Sequence, residues 1–194
     1  MPSQFIKEYE ALKKELKVAN IHAAPRITSV VVNVGVGKHR DNAPFIEAVK
    51  HDVAAITGQK AQERLARKAV AGFNIRQGNL VGLRVTLRGK RMEDFVKRFV
   101  HVTLPRVRDF RGLPLTALDG HGNLNVGLRE QLSFAEVHPE KTDAIFGLQV
   151  TFVTTARDNT EGEALFRVLG FPLTQEVDAG EPVPSMTRSS TKKK

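Results

Sequence analysis

The chain has 194 residues, 41% apolar and 26% charged, which suits one domain with a buried core. It has no cysteine, which excludes a disulfide framework and any thiolate metal site and suits a reducing cytoplasm. The formal charge of +9 is local: between Lys60 and Arg111, fourteen Lys and Arg stand against four Asp and Glu, a balance of +10, so the other 142 residues sum to −1.

At the N-terminus no apolar run is long enough for a signal peptide or a membrane span, and a soluble cytoplasmic protein with no membrane partner is expected. Phe5, Ile6, Tyr9, Leu12 and Leu16 recur at helical spacing among Lys and Glu, predicting an amphipathic helix laid on a body. Pro25 ends it. The β-branched run SVVVNVGV, Ser29 to Val36, predicts a strand buried on both faces, with Asn33 as its single polar interruption. Asn42 and Pro44 are a cap and a first-turn proline, and Ile46, Val49, Val53 and Ile56 carry the following helix to Gly58.

The stretch from Lys60 to Gly89 is the most informative for function. Gly72, Gly78 and Gly82, with Asn74, Gln77 and Asn79 among them, predict a long, mobile loop between two strands, with Arg76 riding on it. In GLRVTLRG, Leu83, Val85 and Leu87 alternate with Arg84, Thr86 and Arg88. One face of that strand therefore meets the core, and the other carries two guanidiniums around a hydroxyl. A helix follows with Met92, Phe95, Val96, Phe99 and Val100 inward, Glu93 and Asp94 one turn before Lys97 and Arg98, and Pro105 at its end.

Next, LPRVRDFRG concentrates Arg106, Arg108 and Arg111, and DGHGN reads as a turn into the strand-like NVGLREQLSF. Phe146, Leu148, Val150 and Phe152 alternate with Gly147, Gln149, Thr151 and Val153 in a half-buried strand. A short helix on Leu165, Val168 and Leu169 ends at Gly170 and Pro172. The domain is assigned to residues 1–173. Residues 174–194, rich in Pro and Ser and closing on a lysine triplet, have nothing to bury and are expected to be disordered.

Other chemistries find no support in these residues. GVGK at Gly35 to Lys38 has one residue between its glycines where a phosphate loop needs four, and His39 follows where Ser or Thr is required. Asp119 to Glu130 imitates a calcium loop but has Leu124 at the glycine position and His121 at position 3, so it reads as a hairpin. The six histidines, His22, His39, His51, His101, His121 and His138, show no metal-ligand spacing, and no nucleophile-base grouping can be assembled locally. No enzyme and no cofactor are expected. A solvated helix face accounts for Lys97 and Arg98, whose acids sit one turn earlier, but not for Arg84 and Arg88, which share a strand face with no acid. A basic block inside a fold is an electrostatic footprint whose usual partner is nucleic acid. A nonspecific, nucleoid-type DNA-binding protein would share it.

The blocks PRITSVVVNVGVG, ITGQKAQERLARKAVAGFNIRQGNLVGLRVTLRGKRM, LPRVRDFRG, DGHGNLNVGLREQLSF and FVTTA with LGFP resemble, in order, large-subunit ribosomal protein number five. That family binds 5S ribosomal RNA, and the resemblance spans about residues 2 to 173. It implies a single α+β domain, a mostly antiparallel sheet with helices packed on one face, whose concave other side meets 5S rRNA in the central protuberance of the large subunit. It implies no enzyme. By matching positions, Asn33, Gln59 and Thr86 would contact the RNA, with Arg84 and Arg88 holding phosphates, a division of labour expected for RNA.

The resemblance also implies that the glycine-rich loop, Gly72 to Gly82, reaches toward peptidyl-site tRNA through Gly72, Asn74, Arg76, Gln77, Gly78 and Asn79. It implies neighbouring 5S-associated proteins and large-subunit rRNA as partners. It further implies a bridge to a small-subunit head protein, near which Arg106, Arg108 and Arg111 are expected. Two positions depart from many bacterial relatives: His121 stands where an arginine is common, and Ala135 where a proline is.

Overall fold

The computed structural model describes residues 12, 13, 16, 20–39, 42–138 and 144–174. Phe5, Ile6 and Tyr9 of the predicted first helix, and the tail from residue 175, lie outside the described residues. Leu12 of that predicted helix is buried against Ala164 and Leu165, with Leu16 partly buried beside it.

The strands are β1 (Ile27–Gly35), β2 (Gln62–Leu65), β3 (Leu80–Leu87), β4 (Leu113–Pro114), β5 (Leu124–Leu128), β6 (Leu148–Thr154) and β7 (Leu173–Thr174), and the helices are α1 (Ala43–Thr57), α2 (Gly89–Arg98) and α3 (Asn159–Val168). Five strands form one sheet in the order β2-β3-β1-β6-β5, every neighbouring pair antiparallel. β1 therefore lies between β3 and β6, far from it in sequence, and first and second halves of the chain share one sheet. This is the expected α+β architecture. β4 and β7 pair in parallel as a separate ribbon, which takes in Thr174, the first residue assigned to the tail.

Alternation sorts the faces. Val30, Val32 and Val34 of β1, Leu83, Val85 and Leu87 of β3, and Leu148, Val150 and Phe152 of β6 are buried in one core with Val49, Val53 and Ile56 of α1 and Met92, Phe95 and Phe99 of the α2 segment. At one end of this core the ring of Phe152 lies 5.2 Å from that of Phe99 and 5.0 Å from that of Phe171, with Phe166 5.1 Å from Phe171. Each such ring, fully buried, contributes about 1.5–3 kcal/mol. Gln131 is the fully buried polar exception. Its side-chain amide donates to Ala144 O, and its carbonyl accepts from Phe146 N at 3.0 Å, satisfying the backbone just before β6.

Caps fix the helices. Asn42 Oδ1 accepts from Phe45 N at 3.2 Å at the start of α1. At its end Gly58 takes a left-handed φ of 67° and donates to Ala54 O. Two arginines from the α2 segment then reach the carbonyls left over there: Arg98 Nη2 donates to Ile56 O at 3.2 Å and Arg91 Nη1 to Gly58 O at 3.3 Å.

Four expectations are corrected. β1 is buried on one face only, with Val31 half-buried and Asn33 exposed on the other, because no described helix covers that side. Arg98 pairs not with Asp94 but with Glu136, Nε to Oε1 at 3.0 Å, since its stem leans toward the end of α1. The helix of α2 does not stop at Pro105. It passes through a π-helical stretch, Phe99–Thr103, into a last turn, Leu104–Arg106, that includes Pro105. Finally, the glycine-rich loop ends at Asn79, because Leu80 to Gly82 already belong to β3.

Candidate nucleic-acid interface

The helices cover one face of the sheet, and the residues that alternate with the core line the other. Register aligns them into rows that cross the strands. Asn33 is the direct partner of Arg84 on one side and of Gln149 on the other, and Arg84 in turn opposes Gln62, giving a polar row Gln62–Arg84–Asn33–Gln149 across four strands. One row along, Val31 opposes Thr86 and Thr151, and Thr151 opposes Asn125, whose side chain accepts from Thr151 Oγ1 at 2.7 Å. Facing strand partners lie about 5 Å apart, so the row presents one guanidinium among three amides at about that spacing.

No Asp or Glu stands in these paired positions. Glu63, the acid of β2, opposes Leu83 and therefore lies on the helix side. There Lys50 Nζ holds it at 2.8 Å while also meeting Glu47 at 2.9 Å. The hydrogen bond from Lys50 holds the Glu63 carboxyl below its ordinary range, and the same bond, with that to Glu47, raises Lys50. The acid is thus neutralised away from the open face.

Asn33 is exposed, Arg84 and Thr86 are half-buried, and among the described residues none of the three side chains has a hydrogen-bond partner. Arg84 Nε is buried without a partner. Leaving such a buried donor unpaired costs about 1–3 kcal/mol.

Gln59 and Arg88 lie outside the rows. β2 runs antiparallel to β3, so the chain comes into β2 at the end where β3 leaves, and half-buried Gln59 and exposed Arg88 both belong to that end. The Thr57 hydroxyl accepts from Gln59 N at 3.3 Å, which ties Gln59's backbone to the helix end.

Gly72, Asn74, Arg76, Gln77, Gly78 and Asn79 sit together on the β2–β3 connection, at the opposite end of β3, roughly 25 Å away at the rise of an extended strand. That connection has a defined backbone: Val70 and Ile75 exchange hydrogen bonds at 2.9 and 3.1 Å, Ala66 N donates to Asn79 O at 2.8 Å, and Gly78 N donates to Ala66 O at 3.0 Å. Asn74 takes a left-handed φ of 52° to turn the tip. Arg106, Arg108 and Arg111 are exposed on the segment between α2 and β4 and belong to none of the five strands of the sheet.

Gln62, Gln149, Asn125 and Thr151 join this face through strand pairing and carry no local signal of their own beyond alternation. The alternation in β6 marks Gln149 and Thr151 as one face, but only strand order makes that face continuous with Arg84. The DGHGN segment is the expected turn. Asp119 Oδ1 accepts from His121 N and Asn123 N, and Oδ2 accepts from the Asn123 amide at 2.8 Å. Among the described residues no cluster of His, Asp and Glu could hold a metal ion, and no described helix is long and apolar enough to cross a membrane.

Residues 20–76 match the model of the family described as ribosomal protein L5, and residues 80–173 match the model of that family's C-terminus. The chain is 48% identical over 161 residues to the large ribosomal subunit protein uL5 of Synechococcus sp. (strain RCC307), covering 83% of this chain and 90% of that protein. The chain belongs to the ribosomal protein L5 family. Its relatives include the uL5 of Prochlorococcus marinus (strain MIT 9215), 48% identical over 164 residues with 84% and 92% covered. The uL5c of Paulinella chromatophora is 47% identical over 161 residues with 83% and 90% covered. Membership of the L5 family makes the chain a structural protein of the large ribosomal subunit, located on the ribosome and not an enzyme. The boundary between the two family segments, residues 77–79, falls in the loop before β3, yet strands from both segments interleave in one sheet.

Proposed function

We propose that the open sheet face binds 5S rRNA and helps seat it in the central protuberance of the large subunit. The observation that carries this is the acid-free row Gln62–Arg84–Asn33–Gln149 on a sheet face that no described helix covers. Arg84 and Arg88 hold phosphates, while Asn33, Thr86 and Gln59 meet 2′-hydroxyls and base edges. The rows add Gln62 and Gln149 as amides able to do the same. At the far end of β3 the Gly72–Asn79 loop touches peptidyl-site tRNA, through Asn74, Arg76, Gln77 and the glycine backbone, while the sheet stays on the fixed RNA. Arg106, Arg108 and Arg111, on their separate segment, face the small-subunit head protein. Large-subunit rRNA and the other 5S-associated proteins complete the surroundings.

The test is a salt-titrated binding isotherm against the cognate 5S rRNA, with a tRNA and a duplex DNA of similar length as competitors. With about five phosphates neutralised, the logarithm of the binding constant falls against that of salt with a slope of roughly −4, shallower on single strands. Tight binding that survives salt and resists both competitors is the expected result. Equal binding to all three nucleic acids, collapsing together with salt, would show a nonspecific electrostatic surface instead.

A further inference from the structure

Phe73 is the most exposed large apolar side chain among the described residues, at 75%, with Val70 at 44% on the same connection and Leu65, at the end of β2 that leads into it, at 56%. It ends the short 3-10 turn Ala71–Phe73 at the tip of the β2–β3 loop. Phe73 N donates to Val70 O at 3.2 Å and Asn74 N to Ala71 O at 3.1 Å, so the turn that displays the ring is held by its own backbone and by the Val70–Ile75 pair below it. Folding the ring inward would gain about 1.5–3 kcal/mol, and this turn forgoes it.

The charge around the ring narrows what can cover it. From Arg64 to Met92 the sequence has no Asp or Glu, while Arg64, Arg67, Lys68 and Arg76 flank the tip. An apolar partner protein would not call for four uncompensated cations. A nucleic acid would, because its phosphates answer the cations and a base face answers the ring. A duplex keeps its base faces covered, so the occupant must offer an unpaired base, as folded RNA does in its loops.

We infer that Phe73 is a stacking platform for an unpaired RNA base, with Arg67, Lys68 and Arg76 holding the phosphates on either side. This rests on the reading of the loop as the tRNA-facing element and names the contact by which it would be made. The remaining loop residues supply hydrogen bonds and charge; only Phe73 supplies a π face.

The chain contains no tryptophan, so Phe73→Trp gives a single indole at the tip. Titrating this variant with deacylated tRNA at low salt is expected to quench its emission, and Phe73→Ala is expected to weaken tRNA binding roughly 5- to 150-fold, the loss of one stacked base. The salt slope stays unchanged in Phe73→Ala, because no charge is removed, whereas Arg76→Ala flattens it by about one unit. Phe73→Tyr retains binding. Because the ring is exposed, equal melting temperatures of wild type and Phe73→Ala confirm that the fold is intact. If Arg76→Ala weakens tRNA binding while Phe73→Ala does not and Phe73→Trp is not quenched, the stacking platform is overturned and the tRNA-facing loop survives. If neither variant alters tRNA binding, the reading of the loop fails with it. A blue shift with an acidic protein and no response to tRNA would assign the ring to a protein partner and also overturn the inference.

Discussion

Asn33 and Arg84 are direct cross-strand partners, although 51 positions separate them in the chain, and both project from the sheet face opposite the helices. The pair sets an exposed amide beside a half-buried guanidinium, the two kinds of group that the proposed 5S rRNA contact requires.

Charge and hydrogen bonding on that face separate by substitution. Arg84→Ala is expected to weaken 5S rRNA binding and to flatten the salt slope by about one unit. Thr86→Val, two residues along the same strand, is expected to weaken binding with the slope unchanged, because it removes a hydroxyl and no charge. Equal slope changes in the two variants, measured by isotherms at several salt concentrations, would show that these roles are wrongly assigned.

Arg98 serves stability. It spans the end of α1 and the segment after β5, bonding Ile56 O and pairing with Glu136. The pair is partly solvated, so the loss in Arg98→Ala is set at about 1 kcal/mol, a fall in melting temperature of about 2–4 °C for a chain of this size. Glu136→Gln should cost less, since the bond to Ile56 O remains. RNA affinity below the melting transition should be unaltered in both, which distinguishes Arg98 from Arg84.

Gly162 on α3 lies against the DGHGN turn so closely that a Cβ there would sit 2.7 Å from Gly122 Cα and 2.8 Å from Gly122 O. Both contacts are backbone, and Asn159 Oδ1 holds the turn in place by accepting from Gly120 N and Gly122 N at 3.0 and 3.2 Å. Gly162→Ala is therefore expected to destabilise by about 1–3 kcal/mol through overpacking. Thermal melting checks this; an unchanged transition would show that the turn can move away freely.

Asp119 gives the acid side of the stability profile. Burial alone would raise its carboxyl, but the Asn123 amide and the backbone N–H groups of His121 and Asn123 outweigh it and hold it below its ordinary value of 3.8. A carboxyl depressed in the folded state contributes stability that is present above 3.8 and lost as pH falls through the lower folded value. Wild type should therefore melt above Asp119→Asn at pH 7, with the gap closing on acidification below pH 3.8. A gap that stayed constant with pH would assign the effect to turn geometry and not to ionisation.

The sequence by itself determined whatever depends on neighbouring residues. Alternation with period two placed Leu83, Val85 and Leu87 on one side of β3 and Arg84 and Thr86 on the other, because successive side chains of any strand point to opposite faces. Asn42 and Gly58 marked the ends of α1 because caps satisfy backbone groups within one turn. The family resemblance, carried by local blocks, was legible for the same reason. Tertiary structure alone decided what covers each face and who stands beside whom. The valine run of β1 is equally apolar on both sides, and only the placement of every described long helix on one side shows that Val31 and Asn33 face out. Arg98 has an acid one turn away in sequence, yet it turns to Glu136, because the free carbonyls of α1 draw its guanidinium across the core edge. Gln149 joins Asn33 and Arg84 because β6 pairs with β1. Strand pairing is set by burial summed over the whole core, which no local window of the chain contains.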